Sequence, residues 1–234
     1  MERIGGKWPH TDYLSSKVRV GIKGEWIKGI REAIEREVIG MDLEQFTELS
    51  SLEELRGDVR ALAESWIEAP SGLNRYLVMG FPFDYSGEVS KIEDRGLEVL
   101  YDGEKVEVGP LAQALTFDKL VRRLYYDRGP SPTLRELARV RVMAKLLLML
   151  SEIETESSPF EIEDGKYISH LESIRGSLIH TFEINKGVVT YYRILQPTTF
   201  IAQPGGALEK SLEGIEVKDP KNPVEVYLTV SSLD

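Results

Sequence analysis

The sequence contains no cysteine, and this absence removes several kinds of chemistry from the residues present. Without thiols there are no disulfides, no zinc–thiolate or iron–sulfur ligation and no thiol nucleophile. Histidine is also scarce, since the chain has only His10, His170 and His180. No two of them have the helical spacing of a metal-chelating pair. The residue types alone therefore predict no metal site.

Long apolar runs are missing as well. The most apolar run, Leu146–Leu150, is far shorter than the roughly 20 residues that a membrane-spanning helix needs. The residues Met1–Gly6 lack the apolar region of a signal peptide. From these two features we expect a cytoplasmic protein with no membrane span.

Basic residues are fewer than acidic residues in this chain. The chain has 29 Lys and Arg against 39 Asp and Glu, a formal net charge of −10. A nucleic-acid partner is not expected, because a phosphate-binding face needs clustered basic side chains. The nearest approach to such a cluster lies on a predicted helix whose other residues are Leu and Val, and we expect these side chains to be solvated. They are Arg135, Arg139, Arg141 and Lys145.

Apolar residues at helical spacing predict four long helices. Pro110 suits the first position of one of them, and Ser50 or Ser51 and Ser131 or Thr133 are candidate N-caps of two others. The predicted helices are Glu25–Val38, Leu52–Trp66, Pro110 to about Tyr126 and Leu134 to about Glu154.

Strand signals are concentrated towards the C-terminus. Segments rich in β-branched and aromatic residues, Ser177–Ile184 and Val188–Ile194, flank the turn Asn185–Gly187. An earlier hairpin is predicted from Leu97 to Val108 around Asp102-Gly103, Gly206–Gly214 is predicted to be helical, and Val224–Val230 forms a last element. The predicted fold class is α+β, mainly α: a helix bundle with a small antiparallel β appendage. We expect one domain, residues 1–234, with a helical core at about 22–155 and a β-rich part at about 160–234.

Several segments resemble the large subunit of [NiFe] hydrogenases and occur in that family's order. They are Gly5–His10 (GGKWPH), Val106–Ala112 (VEVGPLA), Glu172–His180 (ESIRGSLIH), Gln196–Thr199 (QPTT) and Asp219–Glu225 (DPKNPVE). The resemblance implies a helix bundle of the hydrogenase large-subunit type.

The resemblance also shows what is missing. The family holds its nickel–iron centre with two Cys-x-x-Cys pairs. One pair lies upstream of the Gly5–His10 segment, which we call the glycine box. The other pair directly follows an Asp-Pro, and Asp234 matches the Asp of that dipeptide. The expectation is a cysteine-free, truncated paralogue of the HupK type that is not an enzyme. We expect no nickel and no resident cofactor, with an Fe(CN)₂CO fragment as the group that it could still hold.

The chain departs from the family pattern at further positions. Ile174 stands where the family has Pro before an Arg-Gly pair, and Phe200-Ile201 stands where the family has Trp-Asn. Gly205-Gly206 replaces an Arg-Asp pair. Groups that position metal ligands are thus altered together with the ligands themselves.

Other family positions are kept. Arg175 matches the arginine that hangs over the metals and is proposed to act as a base in splitting hydrogen, and Pro197-Thr198 matches the segment that hydrogen-bonds a cyanide ligand. In the alternative interpretation, Arg175 pairs with a buried carboxylate and Thr198 caps a turn. His10 and His180 also match family positions, and for them we expect hydrogen bonds that fix the fold.

Three functions remain open from the sequence. The first is a scaffold or accessory factor in hydrogenase assembly, whose partners are hydrogenase maturation proteins or hydrogenase subunits. The second is a structural or docking subunit, or one part of a split large subunit; a homo-oligomer is a further option. The third is an enzyme with different chemistry, by analogy with cysteine-free relatives that line a quinone site in respiratory complex I. No acid–base or nucleophile constellation in the sequence supports that third option.

Overall fold

The computed structural model describes residues 24–68, 72–73, 75–78, 91–150, 160–163 and 165–233. About half of the residues are helical and a fifth lie in strands. The predicted combination of helices and strands, with more helix than strand, is therefore confirmed. The predicted single domain stays a prediction. The glycine box with His10 lies outside the described residues, as does the predicted end of the fourth helix near Glu154.

The first two predicted helices form, but the second is divided. Helix α1 (Gly24–Ile34) continues as a π-helical turn, Glu35–Ile39, and α2 (Leu43–Glu48) follows. The expected helix from Leu52 to Trp66 is instead a 3₁₀ turn, Leu52–Glu54, followed by α3 (Gly57–Glu64). The chain is extended at the intervening Leu55, whose side chain is fully buried, so tertiary packing overrides the helical pattern.

The predicted Leu97–Val108 hairpin is only partly correct. Asp102-Gly103 does form a tight turn, closed by a bridge between Tyr101 and Glu104. However, β2 (Val99–Tyr101) pairs with the preceding strand β1 (Ile92–Asp94). The segment after the turn leaves the hairpin, and Glu107 forms a parallel bridge with Tyr76.

The third predicted helix is two helices, α4 (Pro110–Phe117) and α5 (Lys119–Arg128). Asp118 separates them, and its carboxylate accepts a hydrogen bond from the Val121 backbone N–H at 2.9 Å, which makes it the N-cap of α5. The fourth helix is confirmed as α6 (Pro132–Met149). Ser131 is its N-cap, with Oγ accepting from Leu134 N at 3.1 Å.

The C-terminal part contains an antiparallel sheet in the order β3 (Phe160–Glu163), β4 (Lys166–Ser173), β5 (Gly176–Asn185), β6 (Val188–Leu195). The turn between the last two strands lies at Lys186-Gly187, as predicted. Three helices follow: α7 (Pro197–Ile201), α8 (Ala207–Leu212) and α9 (Val224–Ser232).

Two apolar clusters hold these elements together. The helical cluster is built from α1 to α6, and Ile174 at the tip of the β4–β5 turn packs against it. The second cluster joins the inner face of the sheet to β2, α7 and α8, and includes Ile168, Ile179, Leu195 and Phe200. The inner face of the sheet thus packs on β2, α7 and α8, and the β4–β5 turn contacts the helical cluster through Ile174.

Two buried ion pairs on α6 link the helical part to its surroundings. The Arg135 guanidinium makes two 2.8 Å hydrogen bonds to the Glu107 carboxylate and a 2.9 Å bond to Ser211 Oγ. Arg141 Nε donates to Asp118 Oδ2 at 2.5 Å, and its terminal nitrogens donate to backbone carbonyls at the end of α2. Backbone donors run short for the last carbonyls of a helix, and Arg141 supplies additional donors to them here.

The solvated face predicted for the basic residues is therefore wrong for Arg135 and Arg141, whose side chains are each 1% exposed. Burial disfavours the charged form of Arg135, but the Glu107 charge outweighs it and keeps the pKa of Arg135 raised. Burial raises the pKa of Tyr76, and the charge of the same Glu107 carboxylate raises it further.

Within the part of the chain that the structure describes, no helix is both long and apolar enough to cross a lipid bilayer.

Replacing Glu107 by Ala should lower the free energy of unfolding by about 3–5 kcal/mol, because the buried Arg135 charge would lose its counter-charge. Urea denaturation measures the effect. The control is Arg60→Ala, which removes an exposed pair with Glu64 and should change stability little. Replacing both partners, Glu107→Leu with Arg135→Met, should restore most of the loss. A small loss for Glu107→Ala alone would contradict the role given to this pair.

Candidate functional site

The turn between β4 and β5 carries Arg175 and is closed by its own hydrogen bonds. Ser173 Oγ donates to the Gly176 carbonyl at 2.8 Å and accepts from the Arg175 backbone N–H at 3.2 Å. The side chain of Arg175 is exposed. The alternative interpretation, in which Arg175 pairs with a buried carboxylate, stays a prediction.

We call the β4–β5 turn, residues 173–176, the arginine turn. It lies directly against the start of α4. Gly176 has φ +120°, and a Cβ atom there would lie 2.7 Å from the Gly109 backbone nitrogen and 2.7 Å from a methyl of Val108. Gly109 has φ +112°, and a Cβ atom there would lie 2.9 Å from the Arg175 carbonyl oxygen. Two glycines are thus required because two backbones meet without room for side chains.

A buried amide completes the attachment. Gln113 on α4 is 1% exposed, and its Nε2 donates to Glu172 Oε1 at 2.8 Å and to the Ser173 carbonyl at 2.5 Å. The other Glu172 oxygen accepts from Ser177 Oγ at 2.7 Å. Sequence reasoning did not assign roles to Gln113 and Ser177. The available signal was Gln113 itself, a polar residue within the apolar helix α4.

Pro197 and Thr198 lie at the same end of the sheet as the arginine turn. Leu195 pairs with Ile179, so the chain leaving β6 runs alongside the start of β5. Pro197 is the first residue of α7, which contacts β5 and β2. The helix is anchored by Phe200 and Ile201, which are buried, while Thr198 is exposed. The register thus brings Arg175, Pro197 and Thr198 together at one end of the sheet.

The predicted capping role of Thr198 stays a prediction. At the start of α7 the Gln196 backbone N–H donates to Thr199 Oγ1 at 3.3 Å, so the neighbouring threonine makes the capping contact.

His180 lies away from this end. It is four residues beyond Gly176, about 13 Å along the strand, and faces away from the buried Ile179. Its Nδ1 is 2.6 Å from the Tyr192 hydroxyl across the strand pair. Burial of the ring lowers the pKa of His180. The structure therefore gives His180 a hydrogen bond within the sheet. His10 lies outside the described residues, and its predicted role stays a prediction.

The donor set at this end of the sheet suits hydrogen bonding and charge pairing. Arg175 supplies a guanidinium and Thr198 a hydroxyl, both exposed. Among the described residues no group of three or more His, Asp or Glu could hold a metal ion. The site can thus present positive charge and hydrogen-bond donors to an anionic or polar group.

A protein-family match covers the C-terminal part of this chain. Residues 137–234 match the family described as nickel-dependent hydrogenase. A 75-residue stretch is 36% identical to the hydrogenase-2 large chain of Escherichia coli (strain K12), covering 30% of this chain and 13% of that protein. A 109-residue stretch is 30% identical to the coenzyme F420 hydrogenase subunit alpha of Methanothermobacter thermautotrophicus, covering 43% of this chain and 25% of that protein.

A solved structure resembles this chain in fold over nearly its whole length. The Ni-Fe-Se hydrogenase from D. vulgaris Hildenborough in the reduced state aligns with 99% of this chain at a TM-score of 0.59 and 19% identity. The alignment covers 64% of that hydrogenase chain. The chain therefore spans less than two thirds of the relatives that it matches, and its fold is that of these hydrogenase structures.

The C-terminal part of the chain is accordingly related to the nickel-dependent hydrogenases. More particularly, the two relatives named above are a hydrogenase large chain and a hydrogenase alpha subunit.

Gly176→Ala should destabilise the protein by about 2–3 kcal/mol, because the added methyl would collide with the Gly109 backbone and would also strain φ. Gly187→Ala is the matched control: it has φ +79° but open space around it, so only the backbone strain of about 1 kcal/mol remains. Chemical denaturation of both variants gives the comparison. Equal losses would contradict the close contact between the arginine turn and α4.

The lowered pKa of His180 predicts a pH dependence of stability. Above about pH 6.5 the residue is neutral in both states. As the pH falls below that value, the unfolded chain takes up a proton before the folded chain does, so the free energy of unfolding decreases until the folded-state pKa is passed. Denaturation of wild type and His180→Gln at about pH 7.5 and about pH 5.5 should show a smaller decrease for the variant. An NMR titration that placed the His180 pKa above the ordinary value would contradict this.

Proposed function

We propose that this chain is a non-catalytic hydrogenase large-subunit-like protein that serves as a scaffold or accessory factor in the assembly of a [NiFe] hydrogenase. Its partners would be hydrogenase maturation proteins or hydrogenase subunits, and its site of action the cytoplasm. One observation carries the proposal. Arg175, Pro197 and Thr198, three of the residues that match the family's metal cradle, lie at one end of the sheet in a sequence without cysteine.

The residues present do not fit a nickel–iron centre held by this chain. Such a centre needs soft thiolate donors, and the sequence supplies none. The described residues also contain no cluster of harder donors that could replace them. No catalytic step through nickel is therefore derived, and the proposal is that the chain does not split hydrogen by itself.

The same residues suit hydrogen bonds to the cyanide groups of an Fe(CN)₂CO fragment, but they are not suited to bind its iron directly. Cyanide nitrogens accept hydrogen bonds, which the exposed Thr198 hydroxyl and the Arg175 guanidinium can donate. The arginine turn is also held by Gln113 and by the contact with Gly109, so the backbone that carries Arg175 is fixed in place. In this proposal the chain orients the fragment while a partner supplies the ligands.

A structural or docking subunit, or one part of a split large subunit, is the second candidate. The coverage favours it: 99% of this chain aligns with 64% of the D. vulgaris hydrogenase chain, so that protein has additional polypeptide in the same architecture. In this role the chain would associate with another subunit and would carry no iron fragment.

The deciding experiment is infrared spectroscopy with iron analysis on protein purified without oxygen from its native host. We expect carbonyl and cyanide stretching bands together with bound iron, and both should be lost in an Arg175→Leu, Thr198→Val double variant. These side chains are exposed, so the variant should keep wild-type stability. Arg193→Leu, which removes an exposed pair with Asp94 elsewhere on the sheet, is the control and should keep the bands.

Other outcomes separate the two candidates. A blank spectrum without iron, with a hydrogenase subunit that co-purifies in fixed ratio, would contradict the scaffold function and support the docking subunit. Hydrogen uptake by the isolated chain, without added subunits, would contradict both.

A further inference from the structure

Helix α5 (Lys119–Arg128) carries an excess of positive charge in a chain that is acidic as a whole. Its 10 residues include four basic and one acidic side chain, whereas the whole chain has 29 basic and 39 acidic residues. Three of the basic residues follow the helical spacing i, i+3, i+4, and an aromatic residue follows at i+7, so the four share one side of the helix. We call this surface the α5 face; it consists of Lys119, Arg122, Arg123 and Tyr126.

The basic side chains of the α5 face have no acidic partners. Lys119 and Arg123 are exposed and Arg122 is half-buried. In the described part of the chain, none of these three side chains forms a hydrogen bond or an ion pair. The pKa of Glu53 is lowered mainly by hydrogen bonds from its own backbone and from Ser51, and Arg123 adds a smaller electrostatic effect without forming an ion pair.

Other arginines at the surface of the molecule do contact carboxylates. Arg31 Nε lies 2.8 Å from Glu35 Oε1, and Arg193 Nε lies 2.7 Å from Asp94 Oδ2. The uncompensated charge of the α5 face is therefore a local feature, which the excess of acidic residues in the chain does not explain.

The positions of these charges oppose formation of the helix. Lys119 is the first residue of α5 and Arg122 the fourth, so both lie at the positive end of the helix dipole, and the first turn contains no acidic residue. The Asp118 carboxylate at this end is buried and pairs with Arg141. Lys119 also repels Arg122 and Arg123, its neighbours on the helix surface. Helix stability alone would favour Asp or Glu at these positions, so the positive charge indicates a function of this surface.

The aromatic member of the α5 face is also open to solvent. Tyr126 is 82% exposed, and its ring contacts the Tyr125 ring at a steep angle, with centroids 5.8 Å apart. The half-buried Tyr125 in turn contacts the Tyr76 ring edge-on. Tyr and Arg are among the residue types most enriched at the energetic centres of protein interfaces. An exposed tyrosine beside unpaired arginines thus has the composition of a protein-binding surface.

We propose that the α5 face is a docking site for an acidic segment of a partner protein, in which several Asp or Glu side chains lie close together. Carboxylates complement the planar guanidinium groups of Arg122 and Arg123, each of which can donate two parallel hydrogen bonds to one carboxylate. The Tyr126 ring would cover the apolar part of the same segment. Binding would supply the acidic partners that the first half of α5 lacks.

Charge and size decide the class of partner. From Lys119 to Tyr126 the face extends about 10 Å along the helix, at about 1.5 Å per residue, which suits a few carboxylates. A nucleic acid is matched less well, because its dense row of phosphates would meet the net charge of −10 of the whole chain. A second copy of this chain carries the same net charge and is opposed in the same way. Neither the iron fragment nor Arg175 takes part in this contact, so the docking site does not depend on the assembly function.

Fluorescence anisotropy with labelled peptides tests the charge requirement. The probe is a fluorescein-labelled decapeptide of alternating Glu and Ser, measured with the full chain at about 50 mM salt. The same peptide with Gln in place of Glu is the neutral control, and we expect only the Glu probe to bind saturably. The double variant Lys119→Glu, Arg123→Glu should raise the Kd of the Glu probe at least about tenfold. The matched double variant Lys218→Glu, Lys221→Glu makes the same change in net charge at two other exposed lysines and should alter the Kd less than about twofold.

Circular dichroism and urea denaturation check the fold of the variants. Lys119 and Arg123 are exposed, and Glu is favourable at the start of a helix, so their double variant should be at least as stable as the wild type. Equal loss of binding in the two double variants, or no binding by the wild type, would overturn the proposal. Tighter binding of a labelled single-stranded oligonucleotide of equal charge to the same face would overturn it as well.

Photo-cross-linking in the native host identifies what the α5 face contacts. Tyr126→p-benzoylphenylalanine should capture a peptide in which Asp and Glu outnumber Lys and Arg, and the capture should be lost when Lys119→Glu and Arg123→Glu are added. The same photoreactive residue in place of Tyr227, which is 62% exposed on α9, is the control and should not capture that peptide. No capture, a captured segment without an excess of acidic residues, or a cross-link to a second copy of this chain would contradict the acidic partner.

Discussion

The buried ion pair between Arg135 and Glu107 is the interaction on which the arrangement of the molecule depends. It joins α6, at the centre of the helical part, to the segment that leads into α4, and through Ser211 to α8 beside the sheet. Two charges that leave water need each other and the remaining hydrogen bonds in a fixed geometry. The pair therefore fixes how the C-terminal part sits on the helices, which apolar contacts alone specify less strictly.

The candidate site takes its rigidity from this link. Glu107 is two residues before Gly109, which touches the arginine turn, and Gln113 lies one helical turn further along. Backbone contact and a buried amide thus hold the turn in place, and Arg175 on this turn is exposed. The resulting surface presents donors and charge on a fixed base. Such a surface suits recognition, because its polar groups need little ordering when a ligand or partner arrives.

Much of the secondary structure follows from local sequence, since caps and turns are made by residues close in the chain. The Ser131 cap and the Lys186-Gly187 turn are examples. The predictions of secondary structure fail where contacts with residues distant in the sequence determine the local backbone conformation. Asp118 divides a predicted helix because its carboxylate both caps α5 and pairs with Arg141, and Leu55 is extended because its side chain is buried. Periodicity carries no information about such partners.

For the function, the sequence by itself determined the kinds of chemistry available. It has no thiolate, and it has an Arg-Gly pair and a Pro-Thr segment in an order of motifs that resembles the hydrogenases. Tertiary structure alone decided where these groups lie. The register of β5 and β6 brings Arg175 and Thr198 to one end of the sheet. It places His180 further along β5, away from that end. Burial was decided in the same way, because whether a side chain is buried depends on what packs over it. Arg135 is enclosed by elements far from it in the chain, and Arg175 is not.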